Sequence, residues 1–222
     1  VAFTGADSPL TQAYGVGVRV AVSAGDIARI TEFYESRNAT PRVFVTPLAD
    51  SSLPRTLAAA GYTPAEYENV LASESFDAFA RDDRIAPAFE LDDWARASAT
   101  GFTGRTELTA EDLAIARTLA YSKGLTALEI REEGRIVATS AMDLFGECAG
   151  LFAGSTLSDY RNRGLHTAMI RDRIARARDA GARFMRATAR PASGSERNFI
   201  RCGFAPLYTR ALWERAQREA KL

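Results

Sequence analysis

The stretch Tyr160-Arg161-Asn162-Arg163-Gly164-Leu165-His166-Thr167 decides how this chain is read. It follows a small, apolar run from Ala149 to Leu157 that predicts a strand. It opens a run of helix formers from Ala168 to Ala180, in which Ile170, Ile174 and Ala177 share one face. A strand, a short basic turn and a helix start gather several free backbone N–H groups about one point. The helix dipole adds roughly half a positive charge there, so a phosphate is the natural guest. Gly164 lets the backbone approach that guest closely, and Arg161 and Arg163 add charge and donors. The same turn also serves as a solvated, arginine-rich helix start in many chains, so the surroundings must decide.

With 222 residues, 46% of them hydrophobic, the chain can build a real core. It is long for one compact domain and short for two full-sized ones. Cys148 and Cys202 form neither a disulfide framework nor a metal-ligand spacing, which fits a reducing cytoplasm. His166 is the single histidine, which argues against a metal site. No apolar run approaches the roughly 18 residues of a membrane helix, and no charged-then-apolar opening marks a signal peptide. The chain begins at Val1 and not at Met, which reads as a trimmed or incomplete N-terminus.

Charge is balanced overall but unevenly placed. Residues 161–222 hold 15 Arg/Lys against 5 Asp/Glu, and residues 1–160 hold 13 against 23. A basic half suits a polyanionic partner, or a set of solvated helix faces. Neither interleaved aromatics nor a recognised DNA-binding motif accompanies it, so a nucleic-acid partner is not expected.

In chain order, an irregular entry leads to a predicted strand at Val16–Val22. Ser23 caps a helix reaching about Arg37, followed by a strand at Arg42–Thr46, a short helix at Leu53–Ala60 ended by Gly61, and a strand from Tyr62 to Leu71. Ser73–Arg84 reads as a linker. Ile85–Leu91 predicts a strand, and Asp92 or Asp93 the cap of a short helix through Trp94. Thr109-Ala110-Glu111-Asp112 starts a further helix. Leu125–Arg131 and Ile136–Leu144 form a hairpin about Gly134, and Cys148–Leu157 returns as the strand feeding the cradle. A strand at Arg183–Thr188, a short helix at Gly194–Arg201, Gly203-Phe204 and a last strand through Tyr208 complete the order.

The two ends echo each other. Arg42–Val45 through Gly61-Tyr62-Thr63-Pro64 parallels Arg183–Arg186 through Gly203-Phe204-Ala205-Pro206. The N-terminal region thus reads as a partial copy of the C-terminal half. Its turn, Val22-Ser23-Ala24-Gly25-Asp26-Ile27, has an acid where phosphate would sit, so no anion is expected there. The division drawn from this is a degenerate half-domain at 1–76, a linker at 77–84 and the main domain at 85–222.

From Ile85 onward the chain resembles the GNAT-type N-acetyltransferases. Their pyrophosphate loop, Arg/Gln-x-x-Gly-x-Gly/Ala, is matched by Arg161, Gly164 and His166, with His in place of the small residue. Their later Gly-Phe is matched by Gly203-Phe204, and Ser195 with Arg197 resembles one branch's version of the short helix. The resemblance implies an α/β (α+β) fold, a mixed and mostly antiparallel sheet flanked by helices, preceded here by the partial copy. It also implies transfer of an acetyl group from acetyl-CoA, as co-substrate and without a metal, to a primary amine of a small molecule or peptide. Cofactor contacts would come from Ser155, Thr156 and Leu157 on the feeding strand, from Arg161, Asn162, Arg163, Gly164, Leu165, His166 and Thr167 in the cradle, and from Ser195.

An ammonium acceptor must lose a proton before attack, so a carboxylate acting through water is expected. Glu147 is the first choice and Asp143 the second; either also reads as a solvated acid at a strand end. Phe199 stands where many members carry a proton-donating tyrosine, and phenylalanine has no proton to give. Tyr208 is the remaining candidate acid, and Cys202 reads as a buried filler. Phe199 equally suits a non-catalytic acyl-CoA-binding or regulatory module that keeps the cradle without the chemistry.

Overall fold

The computed structural model describes residues 1–6, 8–75 and 79–216; residues 77 and 78 of the expected linker lie outside these. Helix α1 spans Ala24–Glu35, β1 Arg42–Val45, α2 Leu53–Ala59 and β2 Tyr62–Ser73. Then come β3 (Ile85–Pro87), α3 (Leu91–Thr103), α4 (Ala110–Ala120), β4 (Leu125–Glu132), β5 (Arg135–Phe145) and β6 (Cys148–Thr156). Helix α5 (Leu165–Asp179), β7 (Phe184–Ala189), α6 (Gly194–Arg201) and β8 (Ala205–Arg215) complete the order. The architecture is mixed α/β with mostly antiparallel pairing, as expected.

The chain forms two compact units, residues 1–69 with the C-terminal strand from Tyr208, and residues 70–207. The boundaries therefore fall inside β2 and β8 and not at residues 77–84. The reason is that β1 has its partner at the far end of the sequence: β8 runs antiparallel to it, Val43 opposite Trp213. In the first unit Ile27, Tyr34, Val43, Leu53, Leu57 and Tyr62 form a core of their own. Ion pairs Arg42–Glu214 (2.8 Å) and Arg210–Glu68 (2.7 Å) tie β8 into it.

Two expectations fail for local reasons. Val16–Val22 is not a strand, because Gly15 and Gly17 both adopt positive φ (68° and 75°) and turn the chain before an extended run can form. Helix α3 does not stop at Trp94. Asp92 and Asp93 sit in its first turn, Glu90 is its N-cap residue, and it continues to Thr103 and the left-handed Gly104. Trp94 is fully buried and donates its indole N–H to Leu128 O at 2.9 Å.

In the second unit the strand order is β7-β6-β5-β4-β3. The β4–β5 hairpin turns at Glu133-Gly134, both at positive φ, as a two-residue loop requires. One face is covered by α5 and α6 over Leu128, Val137, Leu151, Ile170, Ile174 and Met185. The other is covered by α3 and α4 through Trp94, Ala95, Ala116, Ala141 and Phe152. The alternation of β6 follows from this: Ala149 and Leu151 point to the first face, Phe152 to the second.

Candidate active site

Two irregularities of β6 make the site. The strand pairs in parallel with β7 at Cys148–Phe184, Ala149–Met185 and Gly150–Arg186, and the register ends there. From Leu151 to Thr156 the strands splay, leaving an edge of β6 available. Against β5, the ladder slips between Thr139–Ser155 and Ala141–Phe152, so that one extra residue of β6 bulges out. Ala153, at φ 50°, lies in this bulge.

The splay opens toward the cradle. After a single 3-10 turn at Ser158–Tyr160, Arg161 is extended, Asn162 is left-handed (φ 62°), and Gly164 is left-handed again (φ 78°) as the N-cap residue of α5. Helices α1, α4 and α6 each have their N-termini closed by a Ser or Thr side chain. Helix α5 has no side-chain cap and no acid in its first turn. Ala168 N–H already bonds Gly164 O at 3.0 Å, while the N–H groups of Leu165, His166 and Thr167 have no partner within the helix. That end of α5 borders an open cleft of about 860 Å³, lined by Gly164 and Thr167, by Arg81, Arg84, Arg163 and Arg171, and also by the carboxylates of Asp82 and Asp83. Such an end attracts an anion through both N–H donors and the dipole.

A model of the acetyltransferase (GNAT) family matches residues 88–204. The chain belongs to the GNAT acetyltransferase family. A search of curated proteins finds no significant match to the sequence. Among solved structures, the GCN5-related N-acetyltransferase from Kribbella flavida is similar at TM-score 0.63 and 17% identity, over 89% of this chain and 76% of that one. A tandem GNAT protein from the clavulanic acid biosynthesis pathway follows at TM-score 0.61 and 13% identity, over 88% and 69%. An acetyltransferase of the GNAT family from Colwellia psychrerythraea reaches 0.55 and 13%, over 86% and 73%. These likenesses establish the GNAT fold. Family membership implies acyl transfer from acetyl-CoA.

The GNAT cradle uses its arginines differently from each other. Arg161 is turned inward, Nη2 donating to Gly101 O (3.0 Å) and Nε to Thr156 O (3.3 Å), so it clamps the loop to α3 and β6. Arg163 lies over the Tyr160 ring at 4.7 Å and donates to Asp159 O at 2.9 Å, with Glu132 at 3.8 Å; both arginines remain exposed. The His166 ring points into the fold and not toward the cleft. Its Nδ1 meets Asn198 Nδ2 at 3.0 Å, and it stands edge-on to Phe199. Burial, with the Arg173 charge nearby, pushes its pKa down to about 4, so the ring is neutral.

The other expected residues separate. Ser155 is buried, its hydroxyl shared with Thr139 at 2.8 Å; Leu157 N–H is taken by Val137 O at 3.0 Å. Thr156 has a buried hydroxyl with no partner among the described residues. Ser195 is half-buried in the first turn of α6, whose cap is Ser193. Glu147 lies in the β5–β6 turn, paired with Arg183 at 3.3 Å, with the nine residues of β6 between it and the cradle end. That is a span of about 30 Å. Tyr208 is half-buried and counts with the first unit. Phe199 is buried between His166 and Phe204.

Asp143 is the carboxylate at the closed end of the splay. It faces Gly150 across the ladder, accepts its N–H at 2.9 Å, and pairs with Arg186 at 3.1 Å. Any side chain at 150 would strike this pair, which explains the glycine. Arg173 and Asn198 were missed, although Arg173 stands among Met169, Ile170 and Ile174 on the buried face of α5. Among the described residues, no group of three or more His, Cys, Asp or Glu could hold a metal, and no helix is long and apolar enough to cross a membrane.

Proposed function

We propose that the chain is an N-acetyltransferase that moves the acetyl group of acetyl-CoA to a primary amine of a small molecule or peptide, by direct attack in a ternary complex. The observation that carries this is the uncapped N-terminus of α5 standing at the open end of the β6/β7 splay. Residues 164–167 and Arg163 would hold the pyrophosphate, and the free edge of β6 would take the pantetheine arm. That arm, running back along β6, brings the thioester toward Gly150 and Asp143. Asp143, in preference to Glu147, then accepts a proton from the acceptor ammonium through water. The amine nitrogen forms its bond to the thioester carbon, a backbone N–H of β6 steadies the oxyanion, and the C–S bond breaks. Tyr208 is the acid of this reading: its phenol gives a proton to the leaving thiolate, and the second proton that nitrogen loses as the amide forms restores the phenol through water.

The N-terminal unit is, on the same reading, a degenerate GNAT-like copy. Its order α1-β1-α2-β2 repeats α5-β7-α6-β8, and one of the similar structures is described as a tandem GNAT protein. The Ser23–Asp26 capping box fills the end of α1 with its own carboxylate, so this copy holds no phosphate. The reaction belongs in a reducing cytoplasm, where Cys148 and Cys202 stay as thiols. No nucleic acid or membrane takes part.

Phe199 favours a second reading, a non-catalytic acyl-CoA-binding module. Calorimetric titration with acetyl-CoA, beside an Arg163→Glu variant, tests what both share. The parent is expected to saturate, and the variant to bind tenfold or more weakly, about 1.4 kcal/mol. A parent that does not bind ends both readings. A panel of amines then separates them: tight binding without accelerated thiol release selects the non-catalytic module.

A further inference from the structure

Helix α5 carries a charge where its face has no water. Arg173 is fully buried, on the same face as Met169, Ile170 and Ile174. A charge removed from water persists only when paired or fully hydrogen-bonded. Its neighbour Asp172 is turned to Arg176 (2.5 Å) and to the N–H of Asp82 (3.1 Å). The guanidinium meets three carbonyls instead: Nε donates to Met169 O at 3.0 Å, and Nη1 donates to Ala141 O at 3.0 Å and Phe152 O at 2.9 Å. Nη2 is buried with no acceptor among the described residues.

Ala141 and Phe152 are the register pair at which the β5–β6 ladder slips. A bulge interrupts the ladder and leaves backbone groups unpaired, which softens the strand. Arg173 supplies a donor to the carbonyl of each strand at the pair that borders this slip. The bulge is also backed by α5 at its other residue: a Cβ on Gly154 would lie 3.0 Å from His166 Nε2 and 3.7 Å from Arg173 Nη2. Asn198 of α6 holds the His166 ring at 3.0 Å. The pinned segment, Phe152–Gly154, is the splayed part of β6, beyond its last pairing with β7 at Gly150.

We infer that Arg173 is a positioning residue for acyl transfer: it pins the bulged segment Phe152–Gly154 and so fixes the strand edge against which the thioester lies. The inference rests on the acetyl-transfer reading above. N–H donors that stabilise a developing oxyanion work because they are already in place, and a shift of about 1 Å at such a site can lower the rate about a hundredfold. Arg173 achieves this without touching the acyl group.

The test compares the parent with Arg173→Lys, Arg173→Met and Gly154→Ala, the last crowding the bulge while leaving the arginine in place. Three quantities are read: acetyl-CoA affinity by calorimetry, hydrogen exchange of the peptide containing residues 152–154, and the carbonyl signal of bound acetyl-CoA labelled with carbon-13. In Arg173→Met the affinity is expected to stay within about threefold, since residues 161–167 are untouched. Exchange at 152–154 should quicken about tenfold or more, and the carbonyl signal should return toward its free position. Lysine should restore part of both. Unchanged exchange and carbonyl signal in both arginine variants would overturn the inference, as would an affinity that falls in step with the signal. If neither arginine variant folds, Gly154→Ala decides: the same two changes support the pin, and parent-like values overturn it. A parent that fails to bind acetyl-CoA overturns the transfer reading and this inference together; a parent that binds, with unaltered variants, overturns this inference alone.

Discussion

Acidification from pH 7 to pH 5 should weaken the folded state through one ring. His166 is the single histidine, and burial, assisted by the Arg173 charge, lowers its pKa from 6.5 to about 4. Between those values the unfolded chain binds a proton that the folded chain refuses, so stability rises with pH across that window. The contribution is fully present above about pH 6.5 and is lost as pH falls toward 4. A depression of this size is worth about 3 kcal/mol in full, of which about 2 kcal/mol is lost between pH 7 and pH 5. The carboxylates held low by capping bonds or arginines, such as Asp26 and Asp92, have the same sign but act below their ordinary value of 3.8. The histidine window is therefore clear of them. Urea unfolding at half-unit steps from pH 5 to pH 8 measures the slope, and His166→Gln should flatten it whatever constant offset the substitution adds. Equal slopes in parent and variant would refute the buried, neutral ring, and with it the account of α5 packed against Gly154 through that side chain.

Two further outcomes follow from close packing and from strand register. At Gly101 a Cβ would lie 2.5 Å from Ser155 Oγ and 2.9 Å from its Cβ. Gly101→Ala gains about 1 kcal/mol of helix propensity but overpacks the α3–β6 contact by about 2 kcal/mol, so a net loss of about 1 kcal/mol is expected in urea titration. Acetyl-CoA binding should weaken as well, because Arg161 hangs the cradle loop on Gly101 O. Asp143→Asn should lower turnover about a hundredfold or more while Glu147→Gln stays within about twofold, measured as thiol release with whichever amine the panel identifies. The reverse order would return the base to the β5–β6 turn.

What the sequence made legible was what is local. The strand, turn and helix start around Gly164, the N-cap at Ser23, the helix start at Thr109, the β4–β5 hairpin and the bounds of α6 all depend on residues within a few positions of one another. The failures have equally plain causes. Val16–Val22 has the composition of a strand, but two glycines at positive φ override it. The unit boundary was drawn at a polar, acidic stretch, whereas pairing of β1 with β8 set it by a contact across most of the chain. Arg161 matches a phosphate-binding pattern, and its bonds to Gly101 O and Thr156 O are legible only once α3 and β6 are in place. Arg173 could have been singled out as an arginine on an apolar helix face. Its partners could not, since nothing in the sequence of β6 marks Ala153 as left-handed.

The bare end of α5 has a consequence for how this chain can change over generations. A grip made of main-chain hydrogens is blind to side-chain identity, so long as residues 162 and 164 can still turn left-handed. On the proposed reading, Leu165, His166 and Thr167 could then be exchanged for reasons of packing without loosening the hold on a phosphate. A helix end stoppered by its own carboxylate, as at Asp26, lacks that freedom in the opposite sense. It would have to shed the acid before it could bind anything. Drift in side chains is forgiven at one terminus, while at the other the capping acid must go before the N–H groups are free.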